Sequence, residues 1–162
     1  MSFKPVILIY DLDNVLVDEI AALIGNTGLY TTINTYNESN AVDAVKQYDR
    51  FLGLVTNKLS CVITGWNNYK KPKEQFIYRL RSMEGRSPFR KKSPVIIITE
   101  DHMGELKQRA LDPNEGAVSA YLHTDTFKES LIDTLHQIVF EKKADELNAV
   151  ANALLLQEST SE

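Results

Sequence analysis

Two runs of consecutive apolar residues, PVILIY at 5–10 and SPVIIIT at 93–99, with SCVIT at 60–64 as a shorter third, constrain this chain most. They are rich in β-branched residues, bounded by polar or turn-forming ones, and too short for helices. They lack the sustained apolar–polar alternation of a strand with one wet face. Strands of this kind are buried on both sides, which happens mainly in parallel sheets covered by helices.

The segments between them carry the helical period. In NVLVDEIAALIG, Val15, Ile20, Leu23 and Ile24 share one face and Gly25 stands near the C-terminal end. LYTTINTY (29–36) reads as a strand. SNAVDAVKQYDRFLGL follows, with Ser39 placed as an N-cap and Ala41, Val42, Val45 and Tyr48 at helical spacing. KEQFIYRLRSM (73–83) is amphipathic through Phe76, Ile77 and Leu80. MGELKQRAL is a short helix and GAVSAYL (116–122) a fifth strand. A single long helix is expected from about Thr126 to Leu156.

Five β–α units in succession predict an α/β fold, a doubly wound five-stranded parallel sheet with helices on both faces. The flavodoxin-like order 2-1-3-4-5 accommodates five such units, here with an extended C-terminal helix. Residues 1–140 are expected to form the domain, and 141–162 a helical extension and tail. The carboxyl ends of the strands then meet in one crevice. Asp11, Leu12 and Asp13 lie at the first end, Thr64 and Gly65 at the third, Thr99 at the fourth, and Leu122–Thr124 at the fifth.

Charge and cysteine content narrow the function. A net charge of −4 argues against a nucleic-acid surface, which needs clustered Lys and Arg in excess. The one basic run, RKK at 90–92, reads as a solvated loop. The apolar stretch Val6–Tyr10 is too short for a secretion signal or a membrane span. The single cysteine, Cys61, sits inside an apolar strand and has no intrachain partner, which suits a reducing compartment. A cytoplasmic location is expected, with no membrane or nucleic-acid partner.

In order and spacing, VILIYDLDN, CVITGWNN, PVIIIT and GAVSAYL resemble the receiver domains of bacterial response regulators, above all the single-domain chemotaxis type. The resemblance spans roughly residues 5–140. It implies a known piece of chemistry. An acidic pair after strand 1 and an aspartate ending strand 3 hold Mg²⁺, and that aspartate takes a phosphoryl group from a histidine kinase. A Thr or Ser ending strand 4 and a Lys after strand 5 engage the phosphoryl oxygens.

This sequence departs from that pattern. Asp11 is followed by Leu12, with Asp13 one position further on. The acceptor position falls on Gly65, and no aspartate lies between Asp49 and Asp101. Thr99 matches. The Lys position falls on Thr124, or on Asp125 counting back from Phe127, and Tyr69 stands where proline is usual. The losses agree with one another, because a lysine facing a crevice stripped of its carboxylates would be an unpaired charge. The resemblance therefore implies a pseudo-receiver with a degenerate pocket of Asp11, Leu12, Asp13, Gly65, Thr99 and Thr124. It would have no catalytic residue, metal or cofactor. Such a module would act in a two-component, phosphorelay-type system through a protein partner, independently of phosphorylation, by presenting its helix 4–strand 5–helix 5 face.

YDLDNVLVDE admits a rival reading. It resembles the first motif of haloacid-dehalogenase-type phosphatases, in which Asp11 would attack phosphorus and Asp13 would protonate the leaving oxygen. Against it, Asn14 replaces the usual glycine and the family's lysine has no clear home; Asp13 or Asn14 would equally cap the first helix.

Outside the crevice, Trp66 either faces a partner or packs over the crevice. Tyr121 matches the aromatic that changes rotamer in active receivers, or simply packs on strand 5. His102, His123 and His136 show no ligand spacing, although His123 lies near the crevice rim. Phe140, Ala144, Leu147, Ala151 and Leu154 follow a 4-3-4-3 spacing, a heptad stripe expected to support a homodimer through the C-terminal helix.

Overall fold

A computed structural model of the 162-residue chain describes residues 4–49, 58–66, 75–85, 92–101 and 104–160. Tyr69, His102, Lys73 at the expected start of the third helix, the end of the second helical pattern beyond residue 49, and Arg90 and Lys91 of the basic run lie outside the described residues. Among the described residues, five strands alternate with five helices and a sixth helix follows: β1 (Val6–Tyr10), α1 (Asn14–Gly25), β2 (Thr31–Thr35), α2 (Glu38–Asp49), β3 (Leu59–Thr64), α3 (Phe76–Gly85), β4 (Val95–Thr99), α4 (Gly104–Leu111), β5 (Ala120–His123), α5 (Phe127–Val139) and α6 (Ala144–Thr160). All strand pairs are parallel, in the order β2-β1-β3-β4-β5. This is the expected flavodoxin-like sheet.

Every residue of β1 and of β4 is buried. Alternate side chains feed two cores. Leu8, Tyr10, Val62 and Ile97 meet Val45 of α2, Phe76 and Leu80 of α3, and Leu106 of α4. Ile7, Ile9, Ile63, Ile96 and Ile98 meet Ile20 and Ile24 of α1 and Phe127, Leu131 and Leu135 of α5. Cys61 lies in the second core as a small apolar side chain. Its burial pushes the thiol pKa up to about 12, so it is not a ready nucleophile. Among the described residues, no helix is long and apolar enough to cross a membrane.

Two expected elements are corrected. The fifth strand starts at Ala120, not Gly116. Gly116–Ser119 tucks under the end of α4, where Gly116 N–H donates to Arg109 O and Val118 N–H to Ala110 O. A Cβ on Gly116 would sit 2.5 Å from the Ala110 carbonyl oxygen, so only glycine allows this approach. Ala117 takes a left-handed φ of 52°. The carbonyls of Gly116 and Ala117 accept from the Arg81 guanidinium and are withdrawn from any ladder.

The expected helix from Thr126 to Leu156 is two helices. Phe140 closes α5 by donating its N–H to His136 O. Lys142 then turns left-handed, at φ 57°, and α6 starts at Ala144. The break carries neither glycine nor proline, and the 4-3-4-3 stripe runs straight across it. After the turn, α6 doubles back on the domain and packs against α4, β5 and α5. Ala144 and Leu147 touch one core, and Ala151 and Leu155 the other. Since β5 is the edge strand, α6 lies across the open edge of the sheet, a common way of covering unpaired backbone. The Asn148 amide donates to Leu111 O and Val118 O at 2.8 and 2.7 Å, and Asn152 to Leu111 O at 2.9 Å. The last carbonyl of α4, Leu111 O, is thus satisfied from α6.

Candidate functional site

The fold brings the crevice residues together as the topology requires. Asp11 leaves the end of β1, Gly65 follows β3, Thr99 ends β4 and Thr124 follows β5. The Thr124 N–H donates to Thr99 O at 3.1 Å, extending the β4–β5 ladder to the crevice floor.

The centre of the site is the contact between Asp11 and Gly65. A Cβ built on Gly65 would lie 2.5 Å from Asp11 Oδ2 and 2.9 Å from Ile98 O. The Asp11 carboxylate and the β4 backbone occupy the space that a side chain at the tip of β3 would need. Asp11 Oδ1 accepts from Asp13 N–H at 2.9 Å. Burial pushes the Asp11 pKa above the usual carboxylate range; the nearby charges of Asp13 and Glu100 push the same way, and the Asp13 N–H opposes them. Among the described residues, no group of three or more His, Cys, Asp or Glu side chains is arranged to hold a metal ion.

That raised pKa has a consequence for stability. Folded Asp11 holds its proton to a higher pH than the unfolded chain does. Its contribution is therefore fully present below the ordinary carboxylate pKa and is lost as pH rises through the raised value. Asp11→Asn, whose amide oxygen still accepts from Asp13, should be more stable than the parent at pH 7 and show no gain at pH 3. Urea midpoints at the two pH values check this; parallel profiles would contradict it.

Asp13 is spent on local structure. It is the N-cap of α1, and its Oδ1 accepts from Val15 N–H at 3.0 Å and Leu16 N–H at 3.2 Å. Such a cap contributes about 1 kcal/mol. Leu12 points away, 57% exposed. Thr99 is buried, and its Oγ1 accepts from Asp101 N–H at 3.2 Å. Tyr121 is half-buried, with its hydroxyl donating to Asp101 Oδ2 at 3.1 Å. His123 Nδ1 accepts from Asp125 N–H, which leaves the proton on Nε2 to reach Glu100 O at 3.2 Å. Tyr121 and His123 thus both tie β5 to the loop after β4.

The expected interaction residues separate. Trp66 belongs to the core and not to a contact surface. It is 3% exposed, and its ring lies 6.4 Å from that of Tyr78 on α3. Leu147 faces the domain, whereas Phe140 and Leu154 are exposed. Phe140 leans on Tyr30 and His136. The helix 4–strand 5–helix 5 face is not freely presented, because α6 packs on all three elements. A cleft of about 250 Å³ lies at the opposite end of the sheet from the crevice, bordered by Lys92, Ser93, Pro113, Ser119, Asp145 and Asn148.

Two groups escaped the sequence reading. Arg81 and Glu84 look like solvated positions of an amphipathic helix, yet their side chains are buried and paired at 2.7 Å. Asn148 and Asn152 carried a usable signal: spaced by four, they fall beside Ala144, Leu147 and Ala151 on the inward face of α6, where a polar side chain needs a fixed partner.

No protein-family model matches the chain, and no curated protein is similar to it. Solved structures are. The signal receiver domain of an HD domain-containing protein from Pseudomonas fluorescens Pf-5 superposes with a TM-score of 0.63 at 18% identity, over 94% of this chain and 95% of that one. A response regulator receiver domain protein from Clostridium thermocellum gives 0.61 at 20% identity, over 86% and 97%. The chemotaxis protein CheY4 of Vibrio cholerae gives 0.62 at 14% identity, over 84% and 99%. At these identities the likeness is one of architecture, and the chain has the fold of the response-regulator receiver domain.

Proposed function

We propose that the protein is an atypical receiver that signals by binding a protein partner and takes no phosphoryl group. The observation that carries this reading is the Asp11–Gly65 contact, which leaves no room for an acceptor side chain at the tip of β3. Thr124 at the lysine position fits the same reading, as does the engagement of Thr99 with the following backbone. Residues 1–140 form the receiver unit. Residues 141–162 supply an added helix, through which a second copy of the chain is a partner. A reducing, cytoplasmic setting suits the buried free thiol of Cys61.

The phosphatase reading needs Asp13 free to act as an acid, and its carboxylate is occupied by two backbone N–H groups of α1. Incubation with acetyl phosphate and Mg²⁺, followed by intact-mass measurement and phosphate release, tests both. The expected result is no mass gain and no turnover. Uptake of one phosphoryl group would overturn the proposal. Turnover abolished by Asp11→Asn would establish the phosphatase.

A further inference from the structure

We propose that α6 is exchangeable between chains: the protein dimerises by straightening the α5–α6 turn, so that each α6 seats on the sheet edge of the other copy. This deepens the self-association named above and rests on that part of the reading.

Three observations converge on it. The turn between the helices hinges on Lys142, a residue with a Cβ held at φ 57°, where L-residues other than glycine meet a steric penalty. Only the short segment 140–143 separates α5 from α6, so converting Lys142 to right-handed φ and ψ as that segment winds into helix would join α5 and α6 into one rod and relieve that penalty in both chains. Second, Phe140, Ala144, Leu147, Ala151 and Leu154 keep helical spacing across the turn, so the rod has a continuous apolar stripe. Third, the seat cannot stay empty. Removing α6 would uncover the β5 edge and strip Leu111 O and Val118 O of the Asn148 and Asn152 amides. An identical α6 from a second copy is the occupant that restores every one of these contacts, and short hinges under strain favour such swaps.

Light scattering across protein concentration, together with two linker variants, tests the idea. Lys142→Gly removes the penalty in the closed form and weakens helix through the hinge, so it should raise the dimer dissociation constant about tenfold. Replacing Glu141, Lys142 and Lys143 together with Ala favours the rod and should lower it by about the same factor. Chain exchange is read with Pro113→Cys and Asp145→Cys, exposed positions on opposite sides of the same cleft, joined by a short bis-maleimide. Cys61 is buried and does not compete. Cross-linking the isolated dimer fraction should give covalent dimers on a denaturing gel. Links confined within single chains, or a triple-Ala variant that stays monomeric at millimolar concentration, would overturn the proposal. No phosphoryl donor is present, so failure here leaves the phosphorylation-independent reading standing, and the converse holds.

Discussion

Gly65→Asp, which writes an acceptor carboxylate back into the crevice, should leave the protein unable to take a phosphoryl group and lower its stability by about 3 kcal/mol. The new Cβ would sit 2.5 Å from Asp11 Oδ2 and 2.9 Å from the Ile98 carbonyl oxygen. The first of these neighbours is the end of a short side chain and can give way. The second is backbone of a fully buried strand and cannot move without disturbing β4. The added charge would also join Asp11, whose own carboxylate already holds its proton above the usual range. Gly65→Ala isolates the steric part, at about 1–3 kcal/mol. Combining it with Asp11→Ala should return some of that loss but not all, since the Ile98 carbonyl stays in place. Urea unfolding of the single and double variants measures the coupling. An alanine variant within 0.5 kcal/mol of the parent, a threshold near the usual scatter for neutral substitutions, would remove the steric basis of the proposed function.

The sheet was legible because its evidence is local. β1 and β4 announce themselves as apolar runs, and their burial on both faces follows from the parallel sheet. The glycine at the tip of β3 was legible too, as a residue type without a side chain at a known point of the topology. What the sequence could not show was that Asp11 fills the space, because that contact depends on how closely β1 and β3 end. The turn at Lys142 was hidden for a different reason. No glycine or proline marks it, and the stripe Phe140–Ala144–Leu147 passes through it unbroken. The contacts that accompany the turn are tertiary, the two asparagine amides and the packing of α6 on β5, and no local pattern announces them. The start of β5 was misread for a similar cause: the apolar residues of Gly116–Val118 suit a strand, but an arginine 35 residues earlier takes the Gly116 carbonyl. For Trp66 the sequence left a contact surface and packing over the crevice equally open, and its burial beside Tyr78 of α3 removes the first.

That arginine carries the second large effect. Arg81→Leu should cost about 3–5 kcal/mol, a large share of the roughly 5–15 kcal/mol that holds a domain together. Its guanidinium donates to Gly116 O at 2.8 Å, Ser93 O at 2.9 Å and Glu84 Oε1 at 2.7 Å. Glu84 in turn accepts from the Ser93 N–H. Leucine would leave the Glu84 carboxylate, 4% exposed, without its cation, and would orphan the carbonyls as well. Arg81→Lys should recover only part, because one ammonium cannot match the planar fork that reaches three segments at once. Arg81→Leu/Glu84→Leu should recover more, since no buried charge is then left alone. The damage should also travel. Arg81 fixes Gly116 and Ala117, and the next residue offers its carbonyl to Asn148, so loosening this loop loosens the seat of α6. Amide exchange in α6 should therefore rise in Arg81→Leu well before global unfolding. A variant that loses under about 1 kcal/mol, the scale of an exposed pair, would mean that the network is solvated and does not support the seat of α6.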